Sequence, residues 1–157
     1  QMEMLCTSDL MFKWLIVWCL LRVCLATVTK IEDLLVWQES RILVKQIFEM
    51  TSREKFSKEF FLKDQIKRSG ISTMSNIAEG FGRSGNKEFV QFLYMANGSL
   101  SELKSQLYIA FDFNLIAENE LNSFLSNIFK LENMIKAFAR KIKESDYTGS
   151  KFKNVVV

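Results

Sequence analysis

The sequence predicts an all-α protein, an antiparallel up-and-down four-helix bundle. Three observations predict it. Four segments carry apolar residues at i, i+3, i+4 and i+7. The 157 residues contain no Pro, so no helix loses a backbone donor or meets a ring in its preceding turn. The breaks between segments are short and polar, which favours antiparallel neighbours. No segment alternates with period two, and no internal repeat suggests a solenoid.

The first predicted helix runs from Ile31 to about Met50, with Leu34, Leu35, Trp37, Ile42, Val44, Ile47 and Phe48 near a helical period. Glu32 and Asp33 fall in its expected first turn, where the helix dipole favours acids. Thr51-Ser52 breaks the pattern. The second helix starts near Phe60 and runs to about Gly80, with a stripe of Leu62, Ile66, Ser69, Thr73, Ile77 and Ala78. Ser69, Gly70, Ser72 and Ser75 make this face small, so a neighbour can approach closely, at a cost of about 1 kcal/mol for Gly relative to Ala.

Gly80 to Asn86 reads as the clearest loop, holding three of the six Gly, which can supply positive φ where a helix ends. The third helix spans Lys87 to about Phe113 through Phe89, Phe92, Leu93, Ala96, Leu100, Leu103, Leu107 and Ala110. Gly85 stands at its expected N-cap, with Glu88 three residues on, as a weakened capping box. The fourth spans Glu118 to Lys143 through Leu121, Phe124, Leu125, Ile128, Leu131, Ile135, Phe138, Ala139 and Ile142. Residues 30–145 form the expected bundle domain, and 146–157 a flexible basic tail.

Residues 1–29 differ in character. Leu10 to Val28 is strongly apolar but carries Lys13 and Arg22. Its length suits a bilayer span of roughly 20 residues, whereas a central Lys or Arg costs about 2.5–3.5 kcal/mol on insertion. A signal peptide, an anchor, a packed helix and a non-native extension all fit it. Membrane contact is expected only if residues 10–28 are native and inserted.

Composition excludes much chemistry. With no His there is no imidazole base, shuttle or metal ligand. All three Cys (Cys6, Cys19 and Cys24) lie in the first 24 residues, so neither a disulfide nor a zinc site is expected in the main body, which suits a reducing cytoplasm. Glu118 and Glu120 are the nearest approach to a carboxylate pair, and they stand at a helix start, where acids are favoured anyway. No enzyme activity, cofactor or metal is expected.

Net charge is only +3, but from Lys130 onward seven basic residues face three acids. Lys67, Arg68, Arg83 and Lys87 around the second helix, and Arg140, Lys141 and Lys143 near the end of the fourth, are the candidate nucleic-acid contacts. Arg suits bidentate phosphate binding. A solvated rim, or ion pairs with Glu79 or Glu88, would use the first group equally well, and helix-dipole complementarity would account for the second. Asn76 and Glu79, among apolar neighbours, are read as hydrogen-bonding the helix end or an adjacent helix. The Phe residues are read as packing rather than as platforms for bases.

One run, Gln65-Ile66-Lys67-Arg68-Ser69-Gly70-Ile71-Ser72-Thr73-Met74-Ser75-Asn76-Ile77-Ala78-Glu79-Gly80-Phe81-Gly82-Arg83, is followed by Asn86-Lys87-Glu88-Phe89, Gly98-Ser99-Leu100-Ser101-Glu102-Leu103 and Gln106-Leu107. With Asp33-Leu34, Val36-Trp37 and Gln38, these resemble the four-helix-bundle proteins encoded in intervening sequences of 23S rRNA genes. That family is related to the accessory protein of diversity-generating retroelements. The resemblance covers Ile31 to Lys143 and makes Gln65, Asn76, Glu79, Gly80 and Gly98 structural motif residues. It implies a homopentameric ring and, for the retroelement relatives, binding of nucleic acid and a reverse transcriptase. Ser69, Gly70, Met74 and Gly85 depart from the pattern, which has an Ala pair, Pro and a hydroxyl cap there. The expectation is a non-enzymatic oligomer binding structured RNA or a ribonucleoprotein, the alternatives being a protein scaffold without nucleic acid or a reverse-transcriptase accessory subunit.

Overall fold

A computed structural model describes residues 28–83 and 85–144; the predicted basic tail and nearly all of the apolar N-terminal segment lie outside them. The described residues hold four α-helices and no strand: α1 (Leu35–Thr51), α2 (Phe60–Gly82), α3 (Asn86–Asp112) and α4 (Glu118–Glu144). Single 3-10 turns at Ile31–Asp33 and Glu54–Phe56 precede α1 and α2.

Glu32 and Asp33 therefore lie ahead of α1, not in its first turn, which contains no acid. Leu34 is the N-cap and has no side-chain acceptor to offer. Gln38 ties the turn to the helix by donating to the Glu32 carbonyl at 2.6 Å. The buried face of α1 is Val36, Ser40, Leu43, Ile47 and Met50; of the expected stripe Leu34 and Ile47 are buried, Trp37 and Val44 half-buried, and Leu35, Ile42 and Phe48 exposed. Runs of adjacent apolar residues (34–37, 42–44, 47–48) leave the phase ambiguous. Ser40, whose hydroxyl donates to the Trp37 carbonyl at 2.7 Å, can be buried at little cost.

Gly80 corrects another expectation. It is not in a loop: α2 continues through Gly82, Gly80 is buried, and no described Gly has positive φ. A Cβ at Gly80 would lie 2.6 Å from Phe89 Cδ2 and 2.7 Å from Phe92 Cβ, so the absent side chain is what lets α3 approach. The left-handed position instead falls to Asn114 (φ 57), just beyond α3, a residue type that tolerates it. The Leu115 amide then closes the helix end by donating to the Ala110 carbonyl at 2.9 Å.

Each helix packs on the next, most extensively α2 on α3, and α4 also meets α1. The core runs through Leu43, Ile47, Ile66, Ile77, Phe89, Leu93, Leu100, Leu107, Ile128 and Ile135, all almost fully buried. Ser69, Gly70 and Thr73 form the small buried face of α2, with the Thr73 hydroxyl donating to the Ser69 carbonyl at 3.0 Å. On the α1–α4 seam three polar pairs recur at seven-residue intervals, two from α1 and the third from Arg53 just beyond its end. Lys130 donates to Glu39 at 2.8 Å, Asn127 to Gln46 at 3.2 Å, and Arg53 pairs with Glu120.

Candidate nucleic-acid interface

The candidate cations do not form one patch. Arg83 is the C-cap of α2, Lys87 lies in the first turn of α3, and Arg140, Lys141 and Lys143 lie in the last turns of α4. Edge-to-face contact between Phe89 and Phe138 (5.5 Å) holds the start of α3 against the end of α4, so these five cations share one end of the bundle. Lys67 and Arg68 stand 16 and 15 residues before Arg83 on α2, about 24 Å away along the axis. The structure thus separates the expected group around the second helix and its loop into two.

Arg83 is largely neutralised. Its guanidinium pairs with Glu79 at 2.7 Å and Glu88 at 3.9 Å, and stacks 4.8 Å from the Phe92 ring centre. Arg68 pairs with Asp64 at 2.8 Å. Lys143 donates to the Tyr94 hydroxyl at 3.0 Å and lies over that ring, but meets no carboxylate among the described residues. Lys87 and Arg140 are exposed, and among the described residues neither forms an ion pair. At this end, Lys87, Arg140 and Lys143 are thus without a carboxylate partner among the described residues. Lys141 lines an apolar cleft of about 180 Å³ between the start of α1 and the end of α4.

The motif residues sit inside the bundle's own structure. Asn76 donates to the Ser72 hydroxyl at 3.2 Å, and Ser72 and Ser99 share a 3.0 Å hydrogen bond that ties α2 to α3. Glu79 is the partner of Arg83, Gln65 is half-buried on α2, and Gly98 faces open space on α3. Near the other end Glu120 accepts from Arg53 and from the Ala117 amide at 3.2 Å. The Arg53 hydrogen bond, helped by the amide, holds its carboxyl below the ordinary value of 4.5 despite some burial.

The expectation that the Phe residues pack inside holds for only part of them. Phe56, Phe89, Phe124 and Phe138 are buried, but Phe48, Phe60, Phe61, Phe113 and Phe129 are exposed. Sequence reasoning also passed over Arg41 and Lys63. They lie over the Trp37 and Phe60 rings (5.9 and 5.0 Å), as Lys67 lies over Phe48 (4.8 Å). A cation three or four residues after an aromatic on one helix was the available signal.

No helix among the described residues is long and apolar enough to cross a membrane, and no described group of His, Cys, Asp or Glu could hold a metal ion. The described residues thus form a four-helix protein whose surface includes cationic and aromatic side chains. A family model described as 23S rRNA-intervening sequence protein matches residues 32–137, and the chain belongs to that family. The fold is similar to the crystal structure of a protein of unknown function from the S23 ribosomal protein family of Bacteroides thetaiotaomicron. There the TM-score is 0.62 at 21% identity, over 68% of this chain and 99% of that one. No curated protein matches the chain.

Proposed function

We propose that this chain is a non-enzymatic oligomer that binds structured RNA, or an RNA–protein complex, through the cationic end of the bundle. The observation that carries the reading is the trio Lys87, Arg140 and Lys143, converging from α3 and α4 with no carboxylate partner among the described residues. Membership of a family tied to 23S rRNA intervening sequences supports it. The helix order in this reading is antiparallel up-and-down. In support, residues 39 and 46 of α1, and Arg53 just beyond it, meet 130, 127 and 120 of α4, numbers rising on one side as they fall on the other. A ring of five subunits in the cytoplasm completes the reading, each subunit repeating the cationic trio and so multiplying phosphate contacts. Binding of a folded RNA should weaken steeply with salt, and Lys87→Gln with Arg140→Gln should flatten the slope. No binding above background at low salt would sink the proposal.

A second reading has its own observation. Tyr94, Met95, Tyr108 and Ile109 are exposed along α3 and Phe113 just past its end, with Gly98 and Ser101 between them. Such a face supports self-association, or a scaffold holding a protein partner such as a reverse transcriptase without nucleic acid. Tyr108→Glu should lower the sedimentation coefficient if the face joins copies, and leave it unchanged if the face takes a different protein.

A further inference from the structure

We propose that the α1–α2 seam is a second nucleic-acid site, one that takes unpaired nucleotides by stacking their bases on its rings while its cations meet the phosphates. The proposal rests on the RNA reading above and adds a site and a substrate class to it. Trp37, Arg41 and Phe48 lie on one row of α1, and Phe60, Lys63 and Lys67 on one row of α2. The rows adjoin: Lys67 reaches over the Phe48 ring at 4.8 Å, and Gly70 beyond it faces Val44 and Ile47. Arg41 lies over Trp37 at 5.9 Å and Lys63 over Phe60 at 5.0 Å. Each of the three rings on the seam thus has a cation over it. Counting 1.5 Å per residue from Trp37 to Phe48, then from Lys67 to Phe60, it runs about 27 Å. That is long enough to follow several phosphates, spaced about 3.4 Å per nucleotide along a stacked strand.

The chemistry selects among polyanions. Positions 37, 41, 44 and 48 of α1 and 60, 63, 67, 71, 74 and 78 of α2 hold three cations and no acid. On the adjoining rows Glu49 and Asp64 are paired with Lys45 and Arg68, and Glu59 stands beside Phe60 at the helix start. Phe48 and Phe60 are open to solvent, at 42% and 69%, and neighbouring Phe61 reaches 80%, whereas Trp37 is half-buried against the core. A duplex would present phosphates to the cations but keep its base faces stacked, leaving the rings without a partner. An apolar protein face would cover the rings but bury the cations uncompensated. A single strand satisfies both, because every base has a face to stack and a phosphate to pair.

The test is fluorescence anisotropy of the full chain with a labelled 12-nucleotide oligouridylate and a 12-base-pair RNA duplex. The seam should bind the single strand at least 10-fold more tightly than the duplex. Phe48→Leu with Phe60→Ser should weaken single-strand binding about 10-fold with an unchanged salt slope, since stacking carries no charge. Arg41→Gln with Lys67→Gln should lower that slope by about 1.4. Phe60 is exposed, so Phe60→Ser alone keeps the test open if the double variant misfolds. Lys87→Gln with Arg140→Gln separates the two proposals: it should weaken folded RNA and leave oligouridylate unchanged. Ring variants that bind oligouridylate like the parent would overturn the seam, as would equal affinity for duplex once Lys87→Gln and Arg140→Gln have removed the cationic end. So would binding of anionic lipid vesicles in place of RNA. A cationic-end variant that keeps its folded-RNA affinity would overturn the earlier reading alone.

Discussion

Replacing Gly80, Gly70 and Gly98 by Ala, one at a time, measures how closely the helices approach. A helical Gly→Ala change gains about 1 kcal/mol in propensity, so each variant reads out the space its new methyl meets. At Gly80 the methyl would stand 2.6 Å from Phe89 Cδ2 and 2.7 Å from Phe92 Cβ. Phe92 Cβ moves only with the α3 backbone, and Phe89 is held between Phe81 and Phe138, with ring centres 6.2 and 5.5 Å away. Overpacking costs about 1–3 kcal/mol. A contact that neither neighbour can relieve belongs at the upper end, so Gly80→Ala should lose about 2 kcal/mol net. At Gly70 the close atom, also at 2.6 Å, is Ile47 Cδ1, a terminal methyl that can swing away. Cost and gain there nearly cancel. At Gly98 nothing lies within 4 Å, and about 1 kcal/mol of stabilisation should appear in full. Urea denaturation at one fixed protein concentration gives the three midpoints, with unchanged m-values certifying the comparison. A Gly80→Ala variant as stable as Gly70→Ala would refute the claim that the Gly80 contact sets the α2–α3 spacing.

Three further outcomes follow from the core and its seams. Phe89→Ala should cost about 3–5 kcal/mol by emptying a fully buried site between two rings, whereas exposed Phe129→Ser should stay within about 0.5 kcal/mol; calorimetry distinguishes them. Ser72→Ala should lose about 1–2 kcal/mol by severing the link from Asn76 to Ser99, and an unmoved thermal midpoint would deny that link any weight. The depressed Glu120 carboxyl contributes stability above its unfolded pKa, and the contribution is lost as pH falls below about 4.5 toward the folded value. Glu120→Gln should therefore flatten the acid limb of stability against pH, by under about 1 kcal/mol for so exposed a pair. Identical acid limbs would show that the Arg53 pair forms too loosely to matter.

Helix number and most helix boundaries were legible because α3 and α4 each carry one apolar row with polar residues on both sides. Phe89, Leu93, Ala96, Leu100, Leu103, Leu107 and Ala110 are all buried on α3. The phase of α1 was not legible, because Leu35, Ile42 and Phe48 are as apolar as the buried Val36, Leu43 and Ile47 beside them, and hydrophobicity alone cannot choose between adjacent rows. Gly80 was misread for a related reason. Glycine serves equally as a breaker and as a site of close approach, and only Phe89 and Phe92, nine and twelve residues further on across a turn, decide which. The candidate cations were nameable from composition, but their pairing was not. Arg83 spends its charge on Glu79 and Glu88, while Lys87 and Arg140 keep theirs, a distinction set by helix geometry at the α2–α3 corner.

The same geometry divides the bundle's surface by the way each seam is held. The α2–α3 seam closes through small residues: Gly80 under Phe89 and Phe92, and Ser72 against Ser99. Close backbone approach gives dispersion contact along its length, so this seam carries stability. The α1–α4 seam is looser, with clefts of about 180 and 200 Å³ along it, and is spanned by Glu39–Lys130, Gln46–Asn127 and Arg53–Glu120. Exposed polar pairs add little energy. Repeated every seven residues, however, they fix register, because sliding α1 past α4 by one turn would break all three at once. Register on that side also positions the aromatic and cationic row of α1 against α2. Trp37 and Phe48 keep their spacing from Phe60 only while α1 is held at both of its seams, so the outward chemistry of α1 depends on contacts that contribute little to its stability.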